Sequence, residues 1–220
     1  MNPSADTNLA DALRDVRGRI AAAARRVGRA PESVTLLGAT KTVSAERIAL
    51  ALALGLLDVG ENRAQELLAK APALAAEPAP PRWHFVGRLQ RNKVAALAPW
   101  VSVWHTIDRE PLVAQLARRA SGATVLIEVN LDEEPQKGGC TPGDVPRLVD
   151  AARAQGLDVT GLMTVHPRRG DPRGWFAALR GLGERLELAE LSMGMTDDFE
   201  IAVEEGATVV RVGRALFGER

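Results

Sequence analysis

Eight short runs of β-branched and apolar residues recur along this chain, each followed by a helical pattern. They lie at 34–39, 57–60, 83–86, 101–106, 124–129, 159–164, 190–193 and 208–212. Runs this short and this apolar are strands buried on both faces, and such strands belong to a parallel sheet covered by helices. Eight strand–helix units predict a (β/α)8 TIM barrel. An open doubly wound sheet has the same alternation and is the alternative; no G-x-G-x-x-G follows the first strand, which argues against its dinucleotide-binding form. With no linker and no break in composition, residues 1–220 read as one domain.

An extra amphipathic helix lies within residues 1–30. Leu9, Leu13, Val16, Ile20, Ala24 and Val27 recur at steps of three and four, while Arg14, Arg17, Arg25 and Arg26 read as a solvated face. The helix should cover the outside or one end of the barrel. Further helices are expected at 44–54 with Ser44 as cap, at 61–70, from about 92, at 108–119 capped by Asp108, and from Thr141 or Asp144 to 155. Others follow at 171–186 and 197–205, the latter with a capping box of Asp197 and Glu200, and a last one starts near 214. Residues 71–81, rich in Pro and Ala, read as a loop.

Composition narrows the function. Hydrophobic residues make up 46% and charged residues 25%, with 28 basic against 28 acidic side chains. A balanced charge argues against a nucleic-acid surface. No apolar run is long enough to span a membrane, and Met1 to Asp6 lack the basic and apolar regions of a signal peptide. The single cysteine, Cys140, excludes an internal disulfide and fits a reducing cytoplasm. His84, His105 and His166 lack metal-ligand spacing, so no zinc site is expected.

A barrel of this kind carries its site at the C-terminal ends of the strands. The first strand ends at Lys41. An ammonium there loses water, which lowers its pKa and makes it a nucleophile toward aldehydes; the alternative is a lysine that snorkels to the rim. The second strand delivers Gly60-Glu61-Asn62. The seventh delivers Ser192-Met193-Gly194-Met195-Thr196 and the eighth Arg211-Val212-Gly213-Arg214. Barrels bind phosphate between these last two loops, where Ser192 and Thr196 supply hydroxyls while Gly194 and Gly213 admit backbone N–H groups. The same glycines would also serve plain tight turns, and Thr196 or Asp197 a helix cap. A lysine facing a phosphate site fits a phosphorylated aldehyde, and pyridoxal 5′-phosphate (PLP) satisfies both, with a covalent aldimine on Lys41. Arg211 would then face the pyridine ring and keep its nitrogen unprotonated, because two cations repel; its other reading is a structural ion pair, with Glu61 as the candidate acid.

At these positions the chain resembles the pyridoxal phosphate homeostasis proteins. The resemblance rests on Ala39-Thr40-Lys41-Thr42, Gly60-Glu61-Asn62, Trp83-His84-Phe85-Val86-Gly87-Arg88-Leu89-Gln90 with Asn92-Lys93, and His105-Thr106-Ile107-Asp108. It continues through Gly161-Leu162-Met163, the Leu191 to Asp198 run, and Val210-Arg211-Val212-Gly213. It implies a fold-type III PLP barrel, similar to the N-terminal domain of alanine racemase, without that enzyme's second β-domain. It further implies Lys41 as the Schiff-base lysine, Ser192, Gly194, Thr196 and Gly213 at the phosphate, Arg211 at the pyridine nitrogen and Asn62 near the ring. The implied role is a monomeric cytoplasmic protein that holds PLP and hands it on, with apo PLP-dependent enzymes as recipients and without clear turnover. The chain departs at Arg91 and Arg214, where smaller residues are usual.

The residues themselves favour a carrier. A racemase of this fold needs a second base across the ring, commonly tyrosine, and the chain has none. It also ends after the eighth unit, where a partner domain would begin. His84 or His166 would be the remaining base in a small PLP-dependent racemase-like enzyme. A Schiff-base aldolase acting on a sugar phosphate is a further possibility, distinguished by a colourless protein.

Overall fold

The structure is a computed structural model that describes residues 3–134, 136–166 and 170–218, with side chains from residue 8 onward. Its centre is a closed parallel barrel in sequential order, β1 (Thr35–Ala39), β2 (Asp58–Glu61), β3 (Arg82–Phe85), β4 (Val101–Ile107), β5 (Thr124–Glu128), β6 (Asp158–Met163), β7 (Glu190–Ser192) and β8 (Val209–Val212). β8 pairs back onto β1 with Leu37 opposite Arg211, so the sheet closes and the open-sheet alternative falls. Every expected strand is present.

The helices are α1 (Pro3–Arg26), α2 (Ala45–Ala53), α3 (Ala64–Leu74), α4 (Val94–Leu97), α5 (Glu110–Arg119), α6 (Val145–Ala154), α7 (Arg173–Arg185), α8 (Phe199–Glu204) and α9 (Arg214–Phe217). Ser44 caps α2 as expected, accepting from the Arg47 N–H at 3.3 Å. Other boundaries differ. α1 stops at Arg26, within the expected 1–30 segment, and residues 1–2 lie outside the described part. α3 starts three residues late and runs to Leu74 through Pro72, because Leu67, Ala71 and Leu74 bury one stripe against the barrel; only 75–81 remain loop. Asp108 does not cap α5 and pairs with Arg109. Asp197 is not the cap of α8: it pairs with Arg214, and Asp198 holds the cap position.

One apolar core runs between the sheet and its helices, from Leu9 on α1 to Leu216 on α9. Burying a leucine-sized side chain there stabilises the fold by about 1.5–3 kcal/mol. α1 packs along α8 and α9 on the barrel's outside. Its arginines are not all a solvated face. Arg17 donates to the Gly55 carbonyl at 2.7 Å and Arg26 to Glu204 at 2.7 Å, so both clamp the helix to its neighbours. Inside the barrel, Val103, Leu126 and Met163 form a small separate apolar layer. Beside it the interior holds the buried polar side chains His84, His105, Ser192 and Arg211, which position the site.

Candidate functional site

Lys41 sits where the sequence places it, two residues past β1 at the barrel mouth. Its backbone is held from below. Thr40 is fully buried and donates to Glu61 Oε1 at 2.9 Å. Lys70 Nζ reaches the Thr40 carbonyl at 2.9 Å, Glu61 Oε1 at 2.6 Å and Glu66 Oε2 at 3.1 Å. Glu66 Oε2 also accepts the Thr42 N–H at 2.7 Å. Thr42 has φ 65°, a left-handed conformation that a β-branched residue adopts only under constraint. The bonds from Lys70 and Glu66 supply that constraint, so β1 ends in a fixed corner that aims Lys41. Burial raises the Glu61 carboxyl pKa, and the bonds from Lys70 and Thr40 offset only part of that rise.

Lys41 shares a cavity of ≈ 160 Å³ with Ala39, Ser44, Arg47, Gly213 and Arg214. At its wall the Gly213 N–H points at the Thr196 hydroxyl, 3.4 Å away. A Cβ on Gly213 would lie 3.3 Å from the Ala39 carbonyl oxygen, so the bare backbone keeps this side open. Gly194 is glycine for a different reason: its φ is 89°, and a Cβ would lie 2.4 Å from the Ala202 methyl.

Deeper in the barrel, Ser192 and Arg211 form a second group. Arg211 donates to the Ser192 carbonyl at 2.7 Å, to Ser192 Oγ at 2.8 Å and to the Thr164 carbonyl at 2.8 Å. It does not pair with Glu61, so the structural-ion-pair reading of Arg211 fails. Burial lowers the Arg211 pKa to about 10. Two short links join interior to rim. Gly194 accepts the Arg211 N–H at 3.0 Å, and the chain runs on to Thr196 and to Gly213. Asn62 stands apart, exposed past β2.

Sequence reasoning gives no role to Lys70, His105 or Glu128, and names His84 only as a candidate base; the fold brings all four in. Lys70 was only the end of a helix. His84 and His105 were treated as isolated, yet their rings meet inside the barrel, Nδ1 to Nε2, at 2.8 Å. Glu128 closes β5 with Oε2 buried and unpartnered, and burial, with Asp108 next, raises its pKa to about 7. Strand-end position was the available signal for Glu128; for the others the partners are far apart in sequence. His166, the other base candidate, is held by Asp198 at 2.7 Å.

The residues fit a phosphorylated aldehyde carrying an aromatic ring. The lysine lies at a cavity, a bare-backbone wall sits beside a hydroxyl, and a guanidinium lies behind. Among the described residues no group of three His, Cys, Asp or Glu could hold a metal, and no helix is long and apolar enough to cross a membrane.

Comparison with known proteins agrees with this geometry. Residues 13–220 match the family described as alanine racemase, N-terminal domain. The chain is 42% identical to the pyridoxal phosphate homeostasis protein of Aquifex aeolicus, over 97% of this chain and 99% of that one. It is 35% identical to the protein of the same name from Escherichia coli, over 97% of each. The structure of PipY from Synechococcus elongatus with PLP bound superposes with a TM-score of 0.81 at 31% identity, covering 96% of this chain and all (100%) of that one. Lysine decarboxylase from Selenomonas ruminantium shares the fold alone, with a TM-score of 0.68 at 16% identity, covering 92% of this chain and 61% of that one.

Proposed function

The chain belongs to the pyridoxal phosphate homeostasis protein family, and from that premise we propose that it binds PLP at the barrel mouth and passes it on without turning over a substrate. The observation that carries this reading is the meeting of Lys41 and Gly213 in one cavity, where the loops after β1 and β8 converge. When bound, PLP supplies an aldehyde and a pyridine ring. Lys41 holds the aldehyde carbon as a Schiff base. Thr196 and the backbone at Gly194 and Gly213 take the phosphate, and Ser192 supports that side from within. Arg211 faces the ring nitrogen, and Asn62 borders the ring.

A carrier needs retention without chemistry, and the arrangement of bases suits it. His84 has both ring nitrogens within bonding distance of partners, Asp58 at 2.9 Å and His105 at 2.8 Å. That leaves it poorly placed as a racemase base. We extend the proposal to a single-domain, monomeric, cytoplasmic protein whose recipients are apo PLP-dependent enzymes.

The test is absorbance of the purified protein with PLP, before and after borohydride. The expected result is a near-visible band that reduction removes, with the added mass on the peptide bearing Lys41. Lys41→Ala should lose the band and keep the fold. A protein that takes up no PLP would overturn the reading. α-Proton exchange on an amino acid, lost in Lys41→Ala, would replace the carrier with an enzyme.

A further inference from the structure

Five side chains form one unbroken hydrogen-bonded line through the barrel. It begins at Asp58, the first residue of β2 and so at the N-terminal end of the barrel. Asp58 Oδ1 lies 2.9 Å from His84 Nε2. His84 Nδ1 lies 2.8 Å from His105 Nε2, and His105 Nδ1 lies 3.0 Å from Ser192 Oγ. Ser192 closes β7, at the opposite end, and its Oγ lies 2.8 Å from Arg211 NH1. His84, His105 and Ser192 are 2%, 0% and 0% exposed, so water does not compete for these bonds.

The chemistry of the two end groups fixes every proton between them. A carboxylate only accepts, so a neutral His84 donates from Nε2 and keeps Nδ1 as an acceptor. His105 must therefore donate from Nε2, which makes its own Nδ1 an acceptor. Ser192 then gives its hydroxyl proton to His105 and keeps its lone pairs for Arg211, which only donates. Each group is satisfied with both imidazoles neutral. Burial lowers the His105 pKa well below its usual range, and the neighbouring His84 and Arg211 push the same way. Opposite polarity would turn both rings round and leave Ser192 receiving two donors, with its own proton unplaced.

We propose that Asp58, His84 and His105 are positioning residues for Arg211. The line from the far rim fixes the Ser192 hydroxyl as an acceptor, and so sets the direction in which the ring-facing guanidinium presents its remaining N–H groups. This rests on Arg211 facing the PLP ring, as proposed above. The positioning is indirect: none of the three bonds Arg211 itself, His105 reaches it only through Ser192, and Asp58 lies on the opposite end of the barrel. A change at that rim therefore alters the cofactor's electronic environment without contacting it. Arg82, 3.6 Å from Asp58, is the charged side chain that faces the start of the line.

The first test uses PLP-free protein labelled with ¹⁵N, whose histidine tautomers are read by long-range ¹H–¹⁵N correlation at neutral pH. Both His84 and His105 should be neutral and protonated at Nε2. His105 protonated at Nδ1, either ring charged, or either ring exchanging between tautomers would overturn the line. This result stands whether or not PLP binds, so it separates failure of the line from failure of the cofactor assignment. The second test reads the band of PLP-loaded protein. Asp58→Ala should shift the band in the same direction as Arg211→Lys, by less, and release PLP several-fold faster. Asp58→Asn, whose amide oxygen still accepts from His84, should restore both. A band and release rate in Asp58→Ala identical to the unsubstituted protein would overturn the positioning role. Should Asp58→Ala not fold, Ser192→Ala in the ligand-free protein asks the same question. Removing its proton from His105 Nδ1 should shift that nitrogen's resonance, and an unmoved resonance would sink the proposal.

Discussion

Two buried acids on opposite sides of the barrel mouth are treated in contrasting ways. Glu61, at the end of β2, is fully buried, and its Oε1 receives both Lys70 and Thr40. Both keep an unpartnered buried Oε2 and burial raises both pKa values, that of Glu128 to about 7, but Glu128, at the end of β5, has no bonded cation among the described residues. The first belongs to a locked corner that aims Lys41. The second is a carboxyl left free to change its charge near neutral pH, in a mouth it shares electrostatically with Arg211 and Arg88. Burial alone thus does not tell scaffold from reactive group; the presence of a bonded cation does.

Removing the cation should turn the first side into the second. Lys70→Met leaves Glu61 and Glu66 without their shared partner, at a cost of about 3–5 kcal/mol. Urea unfolding measures it, and adding Glu61→Gln should recover most of the loss. A cost below about 1 kcal/mol would mean that Glu61 simply takes up a proton, and the contrast with Glu128 would disappear.

The phosphate side repeats the contrast with two glycines. Gly194→Ala forces a methyl into Ala202 at a left-handed position and should cost about 2–4 kcal/mol. Gly213→Ala meets only looser contacts and should cost less than about 1 kcal/mol, yet weaken PLP retention. Equal losses of stability would erase the distinction between a glycine kept for packing and one kept for a ligand.

Glu128→Gln tests the open side directly. The folded carboxyl holds its proton up to about pH 7, whereas the unfolded one releases it near its ordinary value of 4.5. Between those values the folded state binds more protons, so stability falls as pH rises. Partial exposure reduces the full shift to about 2 kcal/mol. Glu128→Gln should flatten this slope and be the more stable protein at pH 8. An unchanged slope would place the titration elsewhere.

The smallest effect is at Thr42. Thr42→Gly relieves the left-handed backbone and should leave stability within about 1 kcal/mol, while loosening Lys41 and speeding PLP release. Unaltered release would mean that the corner is held by Lys70 alone.

The sequence made most of the fold legible. All eight strands, the Ser44 cap and the amphipathic first helix are local signals, written in periodicity and turn residues. Boundaries that depend on neighbours were less legible. α3 extends through Pro72 because its apolar stripe continues against the barrel, and Asp197 leaves its cap for Arg214, 17 residues away. At the site, Lys41, Gly194, Thr196, Arg211 and Gly213 could be read as strand-end residues. Nothing local marks the bond between Arg211 and Ser192, or Lys70 beneath Lys41, because those partners are distant along the chain.

What the sequence determined by itself was the alternation, the count of eight and the identity of the residues at each strand end, because period and composition are properties of neighbours along the chain. Closure decided the rest. Only when β8 returns to β1 do Lys41 and Gly213 share a cavity, and only inside a closed barrel do Asp58, His84, His105, Ser192 and Arg211, drawn from five strands, come into one line. A buried polar group must find a partner, and which one it finds depends on the geometry of the whole ring.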